Sequence, residues 1–140
     1  MQLEKRISLI SDQELIGEKV VECVDWVKAK NFGIDMVANF EIVLAEALNN
    51  IVEHAYLYRD DGVIDIELAL DASDILIGLK DKGTKFPGIP QKKEIHRSEI
   101  RLEDLPEGGF GWFLIHSLTE SISYQFKDGQ NVLSLRMSED

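Results

Sequence analysis

The sequence has a single cysteine, few basic residues and no long apolar run, and each shortage excludes a class of protein. With only Cys23 among 140 residues, no internal disulfide can form, which favours a reducing compartment. No apolar run is long enough to span a membrane, and MQLEKRISLI lacks a secretory pattern, so we expect a cytoplasmic protein without a membrane partner. The 15 Lys and Arg against 26 Asp and Glu leave a net charge of -11, which argues against general nucleic-acid binding.

The remaining properties are those of one folded domain. A chain of 140 residues can bury a sizeable core, and its 44% apolar content excludes disorder on grounds of composition. The sequence contains no internal repeat and no low-complexity tract. We therefore predict that residues 1–140 form a single domain.

The first half of the chain predicts two amphipathic helices. Ser11 begins the sequence SDQE, a capping-box pattern, and apolar residues at helical spacing extend this helix to about Lys30. Gly33 then interrupts the pattern. Asp35 is the expected cap of a second helix, whose apolar stripe runs to about Tyr58.

Five segments predict strands. They are LEKRISLI (3–10), VIDIELALD (63–71), DILIGLK (74–80), SISYQFK (121–127) and NVLSLRM (131–137), with KDGQ as a tight turn before the last. DILIGLK is apolar on both sides, so we expect it at the centre of the sheet. Strands with one polar, solvent-exposed face and one apolar face suit a sheet that helices cover on one side only. The predicted fold is an α/β (α+β) two-layer sandwich with a mixed, mostly antiparallel sheet.

The long segment between the third and fourth strands, residues 82–108, predicts a lid or binding loop. It holds all three prolines, and a structureless loop of this length is uncommon in a compact domain unless it has a function. Six Lys or Arg against five Asp or Glu make it an exception in an acidic chain. It runs into GGFGWFLIHSL, a glycine turn before an apolar helix, where unpaired amides would attract phosphate. A turn of this kind is as often only a tight turn.

Polar residues at four-residue intervals mark one margin of the second helix. Glu46, Asn50 and His54 form this row, about 12 Å long at 1.5 Å per residue. The row is either ordinary helix surface or one wall of a cleft, and zinc fits it poorly because a second His or a Cys is lacking. Asp81 leaves the central strand two residues before Gly83. Its carboxylate could accept a hydrogen bond from an exocyclic amine such as that of adenine, although Asp-x-Gly is also common in turns.

Taken in order, EALNNIVEHAY, DKGTKF and GGFGWFLI resemble the motifs of the histidine-kinase-like (Bergerat) ATP-binding fold. Gyrase, heat-shock chaperones, MutL and histidine kinases share this fold. Within that superfamily, the His-Ala-Tyr ending of the helix and the short lid resemble the anti-sigma factor serine/threonine-protein kinase family of bacterial stress-response and sporulation switches. The resemblance covers nearly the whole chain, from the first strand to NVLSLRM.

The resemblance implies a role for each matching residue. Asn50 matches the magnesium-binding Asn of the family, and Glu46 matches its general base. Asp81 matches the adenine-binding Asp, with Gly83 letting the base lie close. Gly109, Phe110 and Gly111, with the amides that follow, match the phosphate-binding end of the lid. His54 matches a position beside the nucleotide, with no chemistry assigned to it.

Two departures from the family pattern lie near these motifs. Trp112 stands where the family usually has Leu, which either narrows the pocket or repacks the helix. Gln130 and Asn131 stand where a Gly-Thr pair often continues the last hairpin, so that polar contact is either lost or made by an amide. Arg97 and Arg101 of the lid are candidates to screen the transferring phosphoryl group.

The resemblance also implies the cofactors and partners. These are ATP and Mg2+, a sigma factor, a small antagonist protein that carries the acceptor serine, and a second copy of the chain in a homodimer. The principal functional hypothesis is an anti-sigma factor with serine kinase activity. The alternative is a nucleotide-dependent protein-binding regulator without significant kinase activity, and Glu46 favours the kinase because a pure binder needs no base there.

Overall fold

The computed structural model describes residues 3–86 and 109–139, which form a five-stranded sheet with helices on one face. The elements in chain order are β1 (Leu3–Ile10), α1 (Gln13–Lys28), α2 (Ile34–Asn50), β2 (Val63–Asp71), β3 (Asp74–Asp81), α3 (Gly109–Leu118), β4 (Ser121–Lys127) and β5 (Gln130–Ser138). A π-helical turn, Ile51–Ala55, continues α2. The predicted two-layer sandwich is confirmed.

The sheet has the strand order β1-β2-β3-β5-β4, and all four of these neighbouring pairs are antiparallel. The central position of β3 confirms the expectation drawn from its two apolar faces. The expected mixed sheet is therefore antiparallel throughout the part of the chain that the structure describes. Asp128 and Gly129 form the two-residue turn between β4 and β5 at φ 54° and 76°, as KDGQ predicts.

The core lies between one face of the sheet and the apolar stripes of the helices. Alternate residues of β2 point inward, so Ile64, Ile66 and Leu68 are at most 1% exposed, while the intervening residues of that strand are more open. Phe40 and Leu44 of α2 are fully buried against this face. Each such side chain contributes about 1.5–3 kcal/mol on burial, so the packing of α2 on the sheet is fixed by many contacts.

The start of α1 differs from the prediction. Asp12, rather than Ser11, is the N-cap, and its side chain accepts a hydrogen bond from the Glu14 N–H at 2.9 Å. Ser11 is buried, and its hydroxyl donates to the Arg59 carbonyl at 2.5 Å and accepts from the Gly62 N–H at 3.1 Å. The capping-box assignment was wrong because a distant loop takes up the Ser11 hydroxyl.

Both ends of α2 also differ from the prediction. Gly33 occupies the N-cap position, where its N–H donates to Oε2 of Glu139 at 2.6 Å, and Asp35 lies inside the first turn. The α-helix does not reach Tyr58, since a π-helical turn follows Asn50 and ends at Ala55. Beyond it, Leu57 and Tyr58 adopt φ 53° and 63°, which reverses the chain direction. This exit carries the chain towards β2.

Two further expectations concern the lid and the membrane. Most of the predicted lid, including Arg97 and Arg101, lies outside the described residues, which contain only positions 82–86 of it. Within the described ranges, no helix is both long enough and apolar enough to cross a membrane.

The packing of α2 gives a matched stability test. Leu44→Ala removes a fully buried side chain and should lower the free energy of unfolding by about 2–5 kcal/mol. Ile34→Ala removes a similar side chain that is 87% exposed on the same helix, and it should change that free energy by at most about 0.5 kcal/mol. Equilibrium denaturation in urea measures both, and equal losses would contradict the packing described here.

Candidate functional site

Asp81 ends the central strand with a buried carboxylate, and the residue is only 3% exposed. Its Oδ1 accepts hydrogen bonds from the Gly83 N–H at 2.9 Å and from Nδ2 of Asn131 at 2.8 Å. Its Oδ2 is buried and has no hydrogen-bond partner within the described part of the chain. Burial raises the pKa of this carboxyl, and the hydrogen bonds from Asn131 and Gly83 oppose that rise. Oδ2 is therefore an acceptor that a ligand donor would satisfy.

Asn131 holds Asp81 from the neighbouring strand. It is the register partner of Asp81 on β5 and is 1% exposed. Nδ2 of Asn131 also donates to the Thr84 carbonyl at 2.8 Å, and its Oδ1 accepts from the Tyr124 hydroxyl at 2.5 Å. The Asn131 side-chain amide thus contacts the predicted adenine-binding carboxylate itself. Sequence reasoning did not identify Tyr124, whose only signal was an aromatic residue with a polar tip on a predicted strand.

The loop after β3 packs tightly against the π-helical turn. A Cβ at Gly83 would lie 2.4 Å from the carbonyl oxygen of Ala55, so only glycine fits there. The next residue, Thr84, donates its N–H to the same carbonyl at 2.8 Å. The absence of a side chain at Gly83 is therefore required by the packing of the chain on itself. The close approach of a base to Gly83 stays a prediction.

The polar row on α2 faces the start of α3. A Cβ at Gly111 would lie 2.8 Å from Oε2 of Glu46 and 3.7 Å from both Nδ2 and Oδ1 of Asn50. Gly109 and Phe110 begin α3 directly before this residue. The structure thus brings together two of the three row residues and the glycine turn. Phosphate binding by the turn stays a prediction.

Asn50 offers an amide to a ligand at this junction. It is 5% exposed, and its Nδ2 has no hydrogen-bond partner among residues 3–86 and 109–139. Buried amides are normally paired, so an unpaired one beside Glu46 marks a place for a ligand. A neutral amide oxygen suits Mg2+, which keeps most of its water and phosphate ligands. No three His, Cys, Asp or Glu side chains lie together as a metal cluster in those same ranges. The unpaired Nδ2 is a donor, so Mg2+ binding through the Asn50 oxygen stays a prediction.

His54 lies further along, in the π-helical turn. Its side chain is 33% exposed, and its Nε2 lies 3.7 Å from Oε2 of Glu53. Its backbone carbonyl accepts a hydrogen bond from Oγ1 of Thr84 at 3.1 Å. The backbone of His54 therefore anchors the loop after β3. A contact between its side chain and a nucleotide stays a prediction.

Trp112 of α3 is buried against the loop after β3. The residue is 5% exposed, and its ring meets that of Phe86 edge to face, with centroids 6.0 Å apart. Phe86 in turn meets Tyr124 edge to face at 5.4 Å. These three rings connect α3, the loop after β3 and β4. The Trp112 ring therefore takes part in packing between elements, and a narrowing of the pocket by this ring stays a prediction.

This chain resembles known proteins in sequence and in fold. A model of the histidine kinase-like ATPase domain matches residues 11–137. Among solved structures, the Acinetobacter baumannii histidine kinase AdeS superposes with a TM-score of 0.51, covering 96% of this chain and 68% of that one. Their sequences are 15% identical, so this similarity concerns the fold alone.

Curated relatives carry a more specific name. The Serine-protein kinase RsbW of Listeria monocytogenes serotype 4a is 30% identical over 104 residues, which is 73% of this chain and 66% of that protein. The protein of the same name from Bacillus cereus is 34% identical over 104 residues, covering 73% and 64%. The matched part thus spans slightly less than two thirds of the length of these relatives. These relatives support the anti-sigma factor kinase branch suggested by the sequence motifs.

Two glycines of the site should respond differently to alanine. Gly83→Ala places a methyl group against the backbone of Ala55 and should lower the free energy of unfolding by about 1–3 kcal/mol. Gly111→Ala meets only the end of the Glu46 side chain, and helix propensity offsets its displacement, so the change should stay within about 1 kcal/mol. Urea denaturation compares the two variants. A larger loss for Gly111→Ala would contradict these contacts.

Proposed function

The chain belongs to the histidine kinase-like ATPase domain family, and on that basis we propose that it is an anti-sigma factor and a serine protein kinase. It uses Mg-ATP to phosphorylate a serine on a small antagonist protein, and it sequesters a sigma factor. The serine-protein kinase name of the relatives supports a protein serine as the acceptor. The resemblance of EALNNIVEHAY, DKGTKF and GGFGWFLI to the family motifs supports a sigma factor and an antagonist as its partners. We further propose that the protein acts as a homodimer in the cytoplasm.

The observation that carries the proposal is the approach of Gly111 to Glu46 and Asn50. It sets a carboxylate and an amide against the first turn of α3, and the amide nitrogen has no partner in the part of the chain that the structure describes. The first amides of a helix attract phosphate, and Asn50 is one helical turn from Glu46. A phosphate group at the glycine turn would therefore lie beside both side chains. Phosphoryl transfer depends mostly on such positioning and on charge neutralisation.

Each residue then has a defined part. Asp81 accepts a hydrogen bond from the exocyclic amine of adenine at Oδ2, which has no partner among the described residues. Asn50 would hold Mg2+ through its amide oxygen, and a bound Mg2+ would supply charge neutralisation at the phosphates. Glu46 takes the proton from the serine hydroxyl, and the serine oxygen bonds to the γ-phosphorus. The bond between that phosphorus and the bridging oxygen breaks, and ADP leaves with the electron pair.

The proposal predicts that catalysis and nucleotide binding separate at Glu46. Glu46→Gln keeps the size of the side chain but cannot take a proton, so phosphotransfer should fall by about 10²- to 10⁴-fold while ATP binding persists. Asn50→Ala should lose Mg2+-dependent affinity and activity together. Phosphotransfer from radiolabelled ATP to a small antagonist domain measures the first effect, and titration calorimetry with and without Mg2+ measures the second.

Glu53→Gln is the matched control. Glu53 lies in the π-helical turn with its side chain 40% exposed, so its loss should leave phosphotransfer near the unsubstituted rate. A sigma-factor pull-down should succeed with Glu46→Gln, because holding sigma needs bound nucleotide but no transfer. Full phosphotransfer by Glu46→Gln would show that the row of Glu46, Asn50 and His54 binds nucleotide but contains no general base. The nucleotide-dependent regulator would then be the better hypothesis.

A further inference from the structure

A directed chain of hydrogen bonds reaches Asp81 from β4. The Phe86 N–H donates to the Tyr124 hydroxyl at 3.2 Å, and that hydroxyl donates to Oδ1 of Asn131 at 2.5 Å. Nδ2 of Asn131 then donates to Oδ1 of Asp81 at 2.8 Å. Every donor in this chain points towards the carboxylate. Such a chain strengthens the last bond, because each hydrogen bond polarises the next.

Its neighbours fix the orientation of the Asn131 amide. An ionised carboxylate and a carbonyl can only accept, so Asp81 and Thr84 both require the amide nitrogen on their side. The amide oxygen must then face Tyr124, whose hydroxyl can donate to it. Tyr124 therefore stabilises the one orientation of Asn131 that places a donor on Asp81.

This arrangement leaves Asp81 with one acceptor in use and one free. Oδ1 receives two donors, from Gly83 and Asn131, whereas the buried Oδ2 receives none from the described residues. Two bonds on one oxygen hold the carboxylate plane and prevent the free oxygen from turning away. The position of the free oxygen is thus set by the Gly83 N–H and the Asn131 amide, which both bond to the other oxygen.

We propose that Asn131 and Tyr124 are positioning residues that fix the Asp81 carboxylate for the exocyclic amine of a purine and thereby set base specificity. The inference rests on the proposed binding of ATP. It identifies two residues outside the three motifs as determinants of which nucleotide is bound. It also assigns the amide of Asn131 to the carboxylate rather than to the base.

The chain offers a matched pair of tyrosines for the test. The Tyr56 hydroxyl donates to the Val63 carbonyl at 2.6 Å and accepts from the Lys82 N–H at 2.9 Å. The Tyr124 hydroxyl likewise joins one acceptor to one backbone N–H of the same loop. Tyr124 alone of the two bonds to the partner of Asp81. Replacing either tyrosine by phenylalanine removes one hydroxyl and keeps the ring.

The experiment compares ATP with purine riboside triphosphate, which lacks the exocyclic amine, by titration calorimetry with Mg2+. In Tyr124→Phe, the preference for ATP over the analogue should fall by about three- to tenfold, while affinity for the analogue changes little. In Tyr56→Phe, the preference should equal that of the unsubstituted protein. An equal loss of affinity for both nucleotides in Tyr124→Phe would show a merely structural role and overturn the inference.

A second pair of variants tests Asn131 by comparing two substitutions at that position with each other. Asn131→Thr and Asn131→Val have the same shape, and only threonine keeps a donor. The threonine variant should retain a larger preference for ATP than the valine variant, and equal preferences would overturn the role of Asn131. If the unsubstituted protein prefers ATP but Tyr124→Phe keeps that preference, the positioning inference fails and the proposed function stands. If the unsubstituted protein binds neither nucleotide, the proposed function itself fails.

Discussion

The site depends on a carboxylate buried at the end of the central strand, of which the described residues pair only one oxygen. An unsatisfied buried acceptor costs about 1–3 kcal/mol, so the Oδ2 of Asp81 is tolerated only because the surrounding structure holds it there. Asp81 is 3% exposed at the end of β3, between β2 and β5, and Asn131 and Gly83 share its other oxygen. A fold that leaves such an acceptor in its core is prepared for a donor from outside the chain.

The same loop that pairs with Asp81 also joins the two walls of the site. Thr84 bonds to the carbonyl oxygens of His54 and Ala55, at the end of the helix that carries Glu46. These carbonyls are available because His54 and Ala55 are the last residues of the π-helical turn, where a helix leaves its carbonyls without partners of its own. These hydrogen bonds therefore join the predicted base-recognition side to the predicted phosphate side, and Gly83 allows the close contact between the loop and the turn.

Much of this arrangement follows from patterns that are local in the sequence. Alternating strands and the doubly apolar DILIGLK predicted the sheet and its centre. The resemblance of the three motifs implied roles for Glu46 and for the glycine turn, and the structure places the two side by side. The caps at Ser11 and Asp35 were mispredicted, since their environment depends on residues distant in the chain. The Ser11 hydroxyl donates to the carbonyl of Arg59, 48 residues away. The contact of Asn131 with Asp81, 50 residues apart, has no local signature either and required the register of β3 and β5.

Calorimetry on Asp81→Asn with ATP and GTP shows whether this carboxylate selects the base. The substitution keeps the shape of the side chain, and Gly83 and Asn131 still require an oxygen at the Oδ1 position. The new amide nitrogen must then replace Oδ2, so a donor faces the base where an acceptor stood. We predict that the unsubstituted protein prefers ATP by about tenfold or more and that Asp81→Asn loses or reverses this preference. An unchanged preference for ATP in Asp81→Asn would contradict it.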